Sequence, residues 1–132
     1  MKVDFKGISS SQEKRFTKLL KPLQRFLPFW ANEFGVDLDD TGLTIANAGF
    51  DKEYRRMVIF VSNELIAMDD SEVSKVLTHE ICHAYNEPIL SFFNEVLPGL
   101  LNQEQFNMIQ PLFTREMESQ TEDLAVMLGR LS

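Results

Sequence analysis

The two histidines of the chain, His79 and His83, stand four residues apart in "VLTHEICHAY", and Glu80 follows the first. Residues four apart on a helix stack on one face. Two imidazole nitrogens can then converge on one point, where a zinc ion would sit at ~2.0–2.1 Å from each. At ~100° per residue, Glu80 lies roughly 60° beyond His83 around the helix. That offset lets its carboxylate reach a water on the metal without being forced to bind the metal itself, the position of a general base. In shuffled chains of this composition the pattern arises roughly once in 700 trials, rare enough to favour a site over two surface histidines beside a chance glutamate.

The surrounding pattern supplies the helix this needs. "DDSEVSKVLTHEICHAYNEP" opens with an Asp or Ser cap and acids in its first turn, and Pro88 is expected to follow its end. Val73, Val76, Leu77, Ile81 and Ala84 form its apolar face, with the histidines and Glu80 along the edge of that face. A ligand edge beside a buried face is how a metal cleft is made. Before it, "LTIANAGF" and "RRMVIFVSNEL" read as strands joined through "DKEYR", and Met57 to Val61 is continuous enough in apolar residues for a strand covered on both faces.

Further out, "KVDFKGI" alternates as a short strand, and "SSSQEKRF" is a helix start. Phe16, Leu19, Leu20, Leu23, Phe26, Leu27, Trp30 and Phe34 then recur at helical spacing, so a core-facing helix, kinked or divided by Pro22 and Pro28, is expected up to Gly35. "VDLDDTG" reads as a solvated turn, because its aspartate spacing is not that of a calcium loop. "ILSFFNEVLPG" is helical up to Pro98, and the stretch from Asn102 to Leu131 is helical with a break expected before Pro111. Helix, strands and then helices make an α+β pattern, with residues 1–132 as one domain.

Composition narrows the function. Hydrophobic residues make up 44% of the chain and charged residues 25%, as in a soluble globular protein. A net charge of -7 argues against nucleic-acid binding, which needs clustered Lys and Arg. One cysteine, Cys82, excludes an internal disulfide and reads as a small packing residue. No signal-like apolar segment opens the chain and no run approaches a membrane span, so a cytoplasmic protein with no membrane partner is expected.

"HEICH" matches the H-E-x-x-H signature of zincin metallopeptidases, and the strand and capped helix before it resemble the minimal core those enzymes share. The resemblance is carried by residues 72–86. The metzincin continuation is excluded, because Asn86 and Ile89 stand where that subfamily has Gly and His. SprT-like proteins have similar "HExCHA" wording but take a third histidine, and this chain has none to give. Small phage-encoded H-E-x-x-H proteins are also similar. The resemblance to the gluzincin kind implies a third ligand from a later helix, where "REMESQTEDLAVMLGRL" offers Glu118 and Glu122. Phe113, Met117, Leu124 and Leu128 mark the apolar face of that helix. Glu118 borders this face beside Thr121 and Ala125, and Glu122 lies about 40° further out. Glu118 is therefore preferred as the metal ligand, and Glu122 as a carboxylate that orients a histidine. Glu122 stands where the family usually has Asp, and Asp123 is shifted by one, so the choice between the two glutamates stays open.

The resemblance implies a zinc-dependent metallopeptidase in which Zn²⁺ is held by His79, His83 and Glu118. A zinc-bound water would attack a peptide bond with Glu80 as general base. Its partner would be a peptide or protein substrate, lying along an edge strand for which "MVIFVSNEL" is the candidate, with Asn63 holding substrate backbone. Tyr85, Tyr54, Arg55 and Arg56 are the candidate oxyanion donors, Tyr85 being poorly placed around the helix. Two alternatives stand beside this: an inactive binding or structural protein on a zincin scaffold, and a helical interaction module with an accidental motif. An intact Glu80 favours the enzyme over the scaffold, since a structural zinc site has no use for a base.

Overall fold

A computed structural model describes residues 2–27, 31–51, 53 and 55–131. Trp30, Pro28 and Tyr54 lie outside the described residues. The fold is α+β. Strands β1 (Val3–Lys6), β2 (Glu33–Leu38), β3 (Ala46–Asp51) and β4 (Arg56–Val61) form one sheet in the order β1-β2-β4-β3. β1 and β2 are parallel, as are β2 and β4, while β3 runs antiparallel to β4. The helices are α1 (Ser10–Leu20), the short α2 (Asn63–Ile66), α3 (Asp70–Val96) and α4 (Gln103–Leu131).

Ser9 caps α1, its hydroxyl accepting from the backbone N–H of Gln12. Pro22 turns the chain into a 3-10 segment, Lys21–Phe26. The expected helix up to Gly35 ends there, and residues 33–38 are a strand instead. Helical spacing misleads at this point because the strand is sandwiched between β1 and β4, where Phe34, Gly35 and Val36 are buried in succession and not on one helical stripe. Val36 to Leu38, expected in a turn, belong to the same strand; the turn follows at Asp39 to Gly42, with the Asp39 carboxylate accepting from the Thr41 N–H. Hydrogen bonding from the Thr41 backbone, and then from its side chain, holds the Asp39 carboxyl below its ordinary range.

The core lies between the sheet and α1 and α3. Phe16 and Leu20 of α1, Val36 of β2, Met57, Ile59 and Val61 of β4, and Val73, Leu77 and Ile81 of α3 are all buried in one cluster. β4 has partners on both sides and is the most buried strand, as its apolar run requires. Arg15 fixes where α3 begins. Its guanidinium donates to the carbonyls of Ile66 and Met68 at 2.7 and 2.6 Å and to the Asp70 carboxylate at 2.7 Å. Asp69 then caps α3 by accepting from the Glu72 N–H at 2.9 Å.

α3 does not stop at Pro88, and α4 does not break before Pro111; both prolines lie inside continuous helices. A mid-helix proline costs about 3 kcal/mol, so something must offset it. Both rings are exposed, and beyond them the helices pack as an antiparallel pair. Phe93 stacks on Phe113 with centroids 4.0 Å apart and lies 5.9 Å from Phe106. That aromatic contact requires α3 to continue for two more turns past Pro88. Among the described residues, no helix is long and apolar enough to cross a membrane.

Candidate metal centre

His79, Glu80 and His83 project from the middle of α3, and their donor atoms lie within 4.8 Å of one another. The rings of His79 and His83 meet edge to face, 4.9 Å apart. α4 runs antiparallel alongside and brings Glu118 opposite both. One Glu118 oxygen is 3.5 Å from His83 Nε2 and the other is 3.8 Å from His79 Nε2. On its other ring nitrogen, His79 Nδ1 donates to Glu122 at 2.6 Å. A proton held there leaves Nε2 as a lone pair turned towards Glu118.

This donor set could hold a zinc ion. Two ligands at ~2.0–2.1 Å in tetrahedral geometry are ~3.3 Å apart, and each histidine Nε2 has a different Glu118 oxygen near that separation. Two imidazoles and one carboxylate are ligands that zinc accepts. Glu118 and Glu122 occupy distinct positions in this geometry: the first faces the nitrogens that could bind a metal, the second faces the nitrogen that could not bind the same one.

Glu80 is buried, at 7% exposure. Loss of water around it raises its carboxyl from an ordinary 4.5 to about 7; His79 opposes the rise and Glu118 adds to it. Burial also lowers the pKa of His83, which favours the neutral ring that a metal requires, although Glu118 pulls the other way. Cys82 is fully buried against Ala125 and Leu128 and its thiol is pushed up to about 11, mainly by burial, so it packs and does not react.

A cleft of about 450 Å³ opens over these residues. One wall is α3 with Glu80, His83 and Glu87; another is α4 with Met117, Glu118 and Thr121; the third is β3. Ala46, Asn47 and Ala48 all line it, so both faces of β3 border the cleft, as happens when the edge of a strand faces it. β3 is hydrogen-bonded only to β4 among the described strands, which leaves that edge unpaired. The edge strand beside the site is therefore β3. "MVIFVSNEL", expected in that role, contributes the interior strand β4, whose main chain is engaged on both sides. Asn63 is exposed at the start of α2 and is not among the residues lining the cleft.

Of the oxyanion candidates, the three that are described, Tyr85, Arg55 and Arg56, do not line the cleft. The Tyr85 hydroxyl donates to the Phe26 carbonyl. Arg55 precedes β4 and Arg56 opens it, and neither is among the residues that line the cleft.

The register of α4 against α3 depends on a polar contact that the sequence pattern did not single out. Asn86, 8% exposed, donates to the hydroxyl of Thr121, which is fully buried, at 2.8 Å. Thr121 in turn donates to the Met117 carbonyl at 2.8 Å. Asn86 is one turn beyond His83 and Thr121 one turn beyond Glu118, so this contact sets which α4 residues face the histidines. The buried face of α4 is centred on Thr121, Ala125 and Leu128, rotated slightly from the apolar stripe of its sequence. Both residues carried a signal, a polar side chain on the seam next to a candidate ligand. Thr121→Val keeps the volume but leaves the buried Asn86 amide only its longer, 3.4 Å bond to the Met117 carbonyl. It is expected to lower stability by about 1–3 kcal/mol. The check is urea unfolding of the metal-free protein, with Thr121→Ser recovering the loss; an unchanged midpoint for the valine variant would contradict the role given to this contact.

Comparison of the chain with protein-family models, with curated proteins and with solved structures finds no match.

Proposed function

We propose that the chain is a zinc-dependent peptide hydrolase of the zincin kind, with His79, His83 and Glu118 holding the metal. One observation carries this reading: both histidine Nε2 atoms face Glu118, while Glu122 takes the remaining nitrogen of His79. Bound zinc would supply a Lewis acid that polarises a carbonyl and makes water easier to ionise.

The chain's own residues would do the rest. Glu80, in its partly desolvated position, accepts the proton of the attacking water and delivers it to the leaving amine. Glu122 keeps the His79 ring in one tautomer and orientation. The free edge of β3 can pair with an extended substrate backbone as an added strand, which lays a peptide across the cleft beside Glu80. Ala46 and Ala48 leave room for it there.

Binding on the same scaffold without turnover is the second reading; the site of Glu80 speaks against it, because burying a carboxylate beside two histidines is costly and a purely structural zinc site gains nothing from it. The test is cleavage of a quenched fluorescent peptide mixture. Activity should disappear on chelation and return with one equivalent of zinc. Cleavage that survives exhaustive chelation would contradict the proposal.

A further inference from the structure

Glu87 is not used by the hydrolytic chemistry, yet it lines the same cleft. His79, His83 and Glu87 follow one another at intervals of four on α3, so they form one stripe along the cleft floor. The Glu87 carboxylate is half-buried and accepts from the Ser91 hydroxyl at 2.9 Å, which holds it in place. Among the described residues it has no ion-pair partner, and the cleft lining contains no Lys or Arg. None is near in sequence either: between Lys75 and Arg115 the chain has no basic side chain other than its two histidines.

Glu87 is thus a fixed carboxylate of the lining with no Lys or Arg beside it. Leu90 and Met117 stand beside it in the cleft, on α3 and α4, and offer apolar surface to an alkyl chain. An anion at the end of an apolar trough is complementary to a side chain with an aliphatic stem and a cationic head.

We propose that Glu87 selects peptides carrying a lysine or arginine side chain next to the scissile bond. This rests on the hydrolytic reading of the neighbouring histidines, because that reading puts the scissile bond one helical turn away.

The experiment uses the full chain as zinc-loaded Glu80→Gln, which holds peptides without turning them over. Short fluorescein-labelled, alanine-framed peptides differ at one position, arginine against its neutral isostere citrulline, and binding is read by anisotropy. Arginine should be preferred by roughly tenfold, the size of one charge-assisted contact. Adding Glu87→Gln should abolish the preference, and Glu87→Lys should turn it towards a glutamate-containing peptide. Zinc content should be the same in all three proteins. Equal binding of arginine and citrulline, or a preference that survives Glu87→Gln, would overturn the proposal. So would loss of zinc with Glu87→Gln, which would make Glu87 a metal ligand. An arginine preference in a protein whose wild type cleaves neither peptide would leave Glu87 as the cation-selecting group and remove the hydrolytic reading instead. Cleavage of both peptides at equal rates would do the reverse.

Discussion

Glu80→Gln is expected to lower kcat/KM for peptide hydrolysis by a factor of about 10²–10⁴ while zinc content stays at the wild-type level. The amide has nearly the shape of the carboxyl but cannot accept a proton. The two histidines and Glu118 do not depend on it for their positions, since His79 is held by Glu122 and α4 is held by the Asn86–Thr121 contact. The loss should fall mainly on kcat, because the group acts on the proton of the attacking water. Substrate affinity, set by the β3 edge and the cleft walls, should change little. Steady-state kinetics with metal analysis on the same sample checks both halves. Undiminished cleavage would remove Glu80 from the mechanism, and loss of zinc would make it a ligand.

The same substitution should reverse sign in its effect on stability. In the metal-free fold Glu80 holds its proton to about pH 7, whereas the unfolded chain releases it near its ordinary 4.5. Its folded pKa is raised, so the stability it contributes is complete below pH 4.5 and is lost as pH rises to about 7. Across that window the loss amounts to about 3 kcal/mol, because the buried carboxylate must ionise away from water. Glutamine never ionises. Metal-free Glu80→Gln should therefore match the wild type in acid and exceed it by about 3 kcal/mol above pH 7. The depressed pKa of His83 is present in both proteins and cancels from the difference. A cation at the histidines favours the ionised carboxylate, so the gap should narrow in the zinc-loaded proteins. Urea unfolding at a series of pH values with and without zinc reads this directly; parallel stability curves for the two metal-free proteins would contradict the burial argument.

Local signals carried well from sequence to structure, and signals that depend on distant neighbours did not. The acids and cap of "DDSE" mark the start of α3, and the four-residue spacing of His79 and His83 puts them on one face. The wheel of the last helix distinguishes Glu118 from Glu122, and the two do stand on different sides of the His79 ring. Pro88 and Pro111 misled because the energy that carries each helix past its proline comes from Phe93, Phe106 and Phe113, which are up to twenty residues apart in the chain. The stretch from Glu33 to Leu38 misled because Phe34 fits a helical stripe until the sheet claims its neighbours. Which strand forms the edge is a matter of pairing order. β3 follows β2 in sequence yet lies outside β4, and nothing in "LTIANAGF" announces that. The expectation that "MVIFVSNEL" supplies the edge strand is corrected for this reason.

The proposed zinc site is made by His79, His83 and Glu118, with Glu122 behind it. The most direct measurement is zinc per chain, after purification without added chelator, in wild type, His79→Ala, Glu118→Ala and Glu122→Ala. One zinc per wild-type chain is expected, with none retained by His79→Ala or Glu118→Ala. Glu122→Ala should still bind zinc, with affinity weaker by about 10–100-fold. A wild-type protein that binds no zinc, or a Glu118→Ala variant that binds it as tightly as wild type, would contradict the site.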